Sequence, residues 1–287
     1  MELIFSAALC SVLVSILLKV CKTKGFDALQ MIAWNYAIAS ILCFFWFKPD
    51  LAHISIEKTP WWLIATLGVV LPTIFLLLTK SLETAGIIKT EMAQRLSVVL
   101  SLSAAYFLFH EQFSQLKIIG IALGIVAVLM IIFTKSGSGS GSGSSSQSAK
   151  AMLYLLCVWA GYALVDILLK YTTSLGLQFA VSLNLMFIFA FVLTIGYLSV
   201  TKTKWNTANI LAGFSLGVLN FANIALYVKA HMLLKDSPAI VFAGMNILVV
   251  LFGVVAGLMI FKEKLNMATA FGLSLGIAGV ICLAKAI

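Results

Sequence analysis

Val14-Ser-Ile-Leu-Leu-Lys19 returns with a single change as Val165-Asp-Ile-Leu-Leu-Lys170, at an offset of 151 residues. Each hexapeptide closes an apolar run and ends on a lysine. Other landmarks repeat at nearly the same distance. Asn35 answers to Asn184, and Gly68 with Lys80 to Gly217 with Lys229, all at 149; Phe109-His-Glu111 answers to Phe261-Lys-Glu263 at 152, followed by Gly120 and Gly124 against Gly272 and Gly276. Matches at a near-constant offset along the whole chain are the mark of an internal duplication.

The residues between these landmarks say what the repeated unit is made of. Of 287 residues, 62% are hydrophobic and 10% charged, with a mean hydropathy of +1.10. Water-soluble domains are about half apolar, so a soluble fold is excluded. A helix needs roughly 20 apolar residues to cross the hydrocarbon layer, and such runs lie near 3–20, 28–47, 61–80, 87–109, 115–134, 151–170, 176–200, 208–232, 238–261 and 266–286. The alternating pattern of a membrane barrel strand is absent. The expected fold is an all-α integral membrane protein of ten transmembrane helices, five to each copy.

Five is odd, so the second copy enters the bilayer from the opposite face. The copies are then inverted repeats about an axis in the membrane plane, an arrangement that puts substrate sites near the midplane where the repeats meet. The sequence divides into a first repeat over 1–135, a Gly/Ser-rich linker over 136–149 and a second repeat over 150–287. The linker reads as flexible coil, and its regularity is also that of an engineered joint.

Composition removes several functions. The net charge of +9 comes from lysines scattered singly at the ends of apolar runs, not from a basic stripe of the kind that binds nucleic acid. Such lysines suit loop positioning and attraction to a membrane surface. The five cysteines have no metal-ligand spacing. The three histidines, His53, His110 and His231, lie in different segments, and neither a phosphate loop nor a nucleotide fingerprint occurs. No cofactor and no enzymatic centre is expected. The first apolar stretch lacks a basic leader and a small-residue cleavage site, and is read as the first span.

The repeated elements resemble the drug/metabolite transporter superfamily, in particular its EamA-type ten-span members. The resemblance rests on Lys19 and Lys170 closing the first span of each half, on Trp159-Ala-Gly early in the sixth span, and on Phe-His-Glu111 and Phe-Lys-Glu263 before Gly-rich final spans. It implies a secondary transporter, an exporter or facilitator, working by alternating access in the cytoplasmic membrane of a bacterium. The second-span basic residue often seen in the family is replaced by Asn35 and Asn184, which argues against an anion site there.

Polar residues inside a bilayer are costly and need a partner or a task. Those shared by both halves, Glu111 and Glu263 before the cap residues Ser114 and Asn266, are assigned to helix-end electrostatics. The near-terminal Lys19, Lys80, Lys170 and Lys229 are read as reaching the interface, and the paired glycines as helix-packing contacts. Residues polar in one half alone mark the ligand. Glu91, Gln94 and Arg95 share a face of the fourth span, where their counterparts are Ala243, Asn246 and Ile247. Trp159, Tyr162, Asp166 and Lys170 stripe the sixth span against Ala8, Ser11, Ser15 and Lys19. Asn220, Asn223, Tyr227 and His231 stripe the eighth against Leu71, Ile74, Leu78 and Leu82. Mutual pairing of Glu91 with Arg95, or of Asp166 with Lys170, and interhelical amide bonding are the structural alternatives.

The expected substrate-binding set is Glu91, Gln94, Arg95, Trp159, Tyr162, Asp166, Asn220, Asn223, Tyr227 and Asn246. It suits a small polar metabolite such as an amino acid or related zwitterion, with the lipid bilayer and protons as further partners. Two rivals remain open: a nucleotide-sugar or sugar-phosphate exchanger, and a non-transporting scaffold or lipid-handling membrane protein.

Overall fold

The computed structural model describes residues 1–287 apart from 53, 55–56, 58, 110–112, 135–143, 235 and 287, and leaves the side chains of 105, 108–109 and 144–147 undescribed. Glu111, His53 and His110 therefore lie outside the described residues. The helices are α1 (Glu2–Thr23), α2 (Ala28–Phe47), α3 (Trp61–Thr84), α4 (Ile87–Arg95), α5 (Ser97–Phe109), α6 (Gln115–Phe133), α7 (Ser144–Ser174), α8 (Phe179–Val200), α9 (Thr207–Leu233), α10 (Pro238–Met259) and α11 (Met267–Lys285).

Among the described residues, nine helices are long and apolar enough to cross a bilayer. The remaining span, read from the sequence as continuous over 87–109, is divided at Leu96 into α4 and α5. Neither glycine nor proline marks the break. A tight turn forms instead: Val99 N–H donates to the Leu96 carbonyl at 3.1 Å, and Ser97 Oγ to the Gln94 carbonyl at 2.7 Å. α7 starts at Ser144, inside the stretch expected to be coil. Helix starts follow the capping chemistry of their sequences. Asp27 accepts from Leu29 N–H at 2.9 Å, Asn206 from Ala208 at 2.9 Å and Asn266 from Thr269 at 2.7 Å.

Helix packing reproduces the duplication. Equivalent spans pair with each other: α2 with α8, α4 with α10 and α6 with α11. The most extensive non-equivalent contacts come in reciprocal couples: α2 on α9 with α3 on α8, α1 on α9 with α3 on α7, and α1 on α10 with α4 and α5 on α7. Exchanging the halves leaves this set unchanged, as two inverted five-helix repeats require. Within the halves the symmetry is broken. α1 packs on α3 and α4, whereas the equivalent α7 stays clear of α9 and α10. The second repeat is splayed where the first is closed.

Repeated glycines make the close approaches. A Cβ on Gly217 would stand 2.8 Å from the Asn35 carbonyl oxygen of α2, and one on Gly68 would stand 2.7 Å from Phe189 Cβ of α8. α6 and α11 meet along a similar seam, a Cβ on Gly279 falling 3.1 Å from the Gly120 carbonyl oxygen. Ile4, Leu18, Tyr36, Leu78 and Phe187 are fully enclosed in the shared core. Phe45, Val192, Tyr197 and Phe271 point outward, each more than half exposed, a surface that suits hydrocarbon and not water.

One expectation about the shared acidic residues changes. Glu263 does not serve its own final span; its carboxylate accepts N–H groups of Ile87 at 2.7 Å and Ile88 at 3.2 Å, at the start of α4 in the other half. Lys19 Nζ completes the arrangement 2.5 Å from Glu263 Oε1 and 4.3 Å over the Phe261 ring. Lys19 is thus an ion-pair partner and does not reach for the interface. Gly86, at φ +89°, has no room for a Cβ, which would lie 2.7 Å from the Glu263 carboxylate.

Candidate substrate site

The expected polar stripes of α4 and α7, and the Tyr227 end of the α9 stripe, converge on Arg95. It is the charged neighbour common to Glu91 on its own helix, Tyr162 and Asp166 on α7, and Tyr227 on α9. The guanidinium donates to Ser11 Oγ of α1. It forms no hydrogen bond with Glu91: both oxygens of that carboxylate lack a donor although the residue is 1% exposed. The mutual pairing allowed by the i, i+4 spacing is therefore not formed. The Glu91 stem rests against α10, where a Cβ on Gly253 would lie 3.0 Å from its Cγ.

Asp166 is exposed on α7 and has Arg95 as its charged neighbour. α7, which carries Asp166 and Tyr162, makes no close main-chain approach to α9 or α10. Tyr227, from the α9 side, is held edge-on against His231 with ring centroids 4.7 Å apart. Gln94 leaves its Oε1 buried without a partner, as Asn223 does its Oδ1.

Three expected members have evident structural tasks. Trp159 Nε1 donates to the Leu96 carbonyl at 3.0 Å, satisfying main chain at the break between α4 and α5. Asn220 Nδ2 donates to Asn35 Oδ1 at 3.1 Å, joining α9 to α2. Asn246 Nδ2 turns back to the Phe242 carbonyl of its own helix at 2.8 Å. Amide glue of this kind is a normal solution inside membranes.

Sequence reasoning passed over Ser11, Ser15 and Tyr36. Ser11 receives the arginine, Ser15 stands beside Glu91, and the Tyr36 hydroxyl is buried without a partner near Tyr162. The signal was available, because Ser11 and Ser15 are the counterparts of Tyr162 and Asp166. They were set aside as the undecorated half, although inverted stripes at a shared interface both face it. The assembled groups offer one guanidinium, two carboxylates, phenols, hydroxyls and amides, which can bind opposite charges at once.

Apolar helices in two inverted repeats, with polar side chains gathered where the halves meet, define the class as an integral membrane protein. The chain belongs to the EamA-like transporter family, whose profile matches residues 2–133. A protein of Haemophilus influenzae described as uncharacterized is 38% identical over 98% of this chain and 97% of its own. A solved crystal structure covers 98% of this chain and 94% of its own with a TM-score of 0.58 at 16% identity, a likeness of fold alone. Members of the family move small molecules across membranes and are not enzymes.

Proposed function

We propose that the chain carries a small zwitterionic metabolite, an amino acid or a close relative, by alternating access across the cytoplasmic membrane of a bacterium, as an exporter or facilitator. Arg95 meets the substrate carboxylate, Asp166 its ammonium, and Tyr162 and Tyr227 cover the apolar part. The repeats over 1–135 and 150–287 rock against each other, with 136–149 joining them. The observation that carries this reading is that Arg95 and Asp166, of opposite charge and from different halves, are neighbours. The unequal closure of the two repeats supports it, because exchanging their conformations would move the opening to the other face.

An exchanger of sugar phosphates would want unengaged lysines in the site. Of the lysines such an exchanger would use, Lys80 lies 5.7 Å over the Tyr154 ring and Lys229 5.8 Å over the Trp46 ring. A scaffold or lipid-handling role leaves the opposite charges gathered around Arg95 without a task. Uptake of labelled amino acids into proteoliposomes tests the reading. Arg95→Ala and Asp166→Asn should each abolish uptake of the best-carried solute; unchanged uptake in both variants overturns the assignment, and strong competition by sugar phosphates would favour the exchanger.

A further inference from the structure

We propose that Glu91 is a proton-carrying site coupled to the substrate through Arg95, so that the transporter moves a proton together with its zwitterion. This deepens the function proposed above and rests on it for the identity of the substrate alone; with a proton moving in the same direction, export occurs only where the outward substrate gradient exceeds the inward proton gradient. Glu91 is the enclosed carboxylate of the site, 1% exposed, with the Ser15 hydroxyl beside it and no cation paired to it among the described residues. Inside a bilayer bundle a charged carboxylate in that position is costly, and a neutral carboxyl far less so.

The groups facing it decide what it holds. From α4 there is Arg95, one turn on; from α7, Tyr162 and beyond it Asp166; from α1, the neutral Ser15; and from α10, Gly253. α10 contributes no charged residue anywhere along its length. Lys89, two residues before Glu91, is directed to the Thr134 carbonyl. A metal cation needs a shell of several oxygens and would meet a guanidinium here with Ser15 as the nearest hydroxyl. A proton needs one oxygen.

Arg95 supplies the coupling. Its i, i+4 spacing from Glu91 puts that carboxylate within reach, but in this conformation it is held by Ser11. A substrate carboxylate on the same guanidinium keeps it away from Glu91, and Glu91 takes a proton from water. When the substrate leaves, Arg95 is free to turn to Glu91, and the proton returns to water on the other side. No bond other than O–H is made or broken.

The first test needs no substrate. Infrared difference spectra of the full chain in lipid, between acid and alkaline buffer, should contain a protonated-carboxyl C=O band that Glu91→Gln removes and Asp166→Asn leaves in place. Glu91→Asp, which keeps a carboxyl on a shorter stem, should shift that band. A band unaltered in both Glu91 variants overturns the proposal. The second test compares uptake of a mixture of proteinogenic amino acids into proteoliposomes with and without an imposed pH gradient. The ratio should exceed unity several-fold in the wild type and fall to about one in Glu91→Gln whatever the residual rate; an unchanged ratio overturns the coupling. Should the wild type carry none of the amino acids, the zwitterion reading fails, and the infrared result still decides the proton site.

Discussion

Glu263 Oε1 accepts the Ile87 N–H at 2.7 Å, so a carboxylate from the second repeat caps a helix of the first. The same oxygen holds Lys19 of α1. Three segments distant in sequence therefore depend on one side chain. Breaking one side of a wholly buried ion pair costs about 3–5 kcal/mol. The side chains here keep 13% and 17% exposure, so about 2–3 kcal/mol is expected for Glu263→Ala by the same principle. Glu263→Gln retains an acceptor for the helix and should lose less. Unfolding of both variants in detergent, monitored by circular dichroism, measures the order.

Gly217→Ala puts a methyl 2.7 Å from Ile38 Cβ and 2.8 Å from the Asn35 carbonyl oxygen, in the seam between α2 and α9. Overpacking of this kind costs about 1–3 kcal/mol, and a lowered melting temperature should follow. Gly196→Ala is the control. Nothing lies within 4 Å of its Cβ position on α8, so the variant should unfold at or above the wild-type temperature.

Trp159→Phe removes the donor to the Leu96 carbonyl while keeping an aromatic ring in place. The loss should be about 1 kcal/mol. Hydrogen exchange should rise at the turn between α4 and α5 more than elsewhere, because that carbonyl sits where the helix is interrupted. Uniform exchange across the protein would count against this.

Asn35 and Asn220 should be energetically coupled. A double-mutant cycle with alanine at both positions is expected to return about 0.6–1.7 kcal/mol, the range for hydrogen bonds between membrane helices. Additive single losses would mean that the 3.1 Å contact contributes little.

The duplication, the ten spans and the small-residue seams were legible in the sequence because each depends on local composition or on a repeated spacing. The break at Leu96 was not. It carries no proline or glycine, and it is satisfied by a tryptophan 63 residues away. The hydrogen-bond partner of Arg95 was not legible either: spacing along one helix favoured Glu91, and only the approach of α1 brings Ser11 within reach. The same limit explains Glu263, whose role next to its own helix was plausible from spacing and was taken over by the N-terminus of α4. Asn220 looked like a ligand contact because a polar stripe has the same pattern whether it meets solvent or another amide.

The meeting of Gly120 with Gly279 constrains how the two copies can diverge. Main chain lies against main chain there, so a methyl on either residue must be met by a retreat of the opposite backbone. The duplicated gene was free to give one half an arginine and the other an aspartate around the site. Along this joint it had no such latitude, because with glycine on both sides neither position can shrink to make room for a methyl on the other.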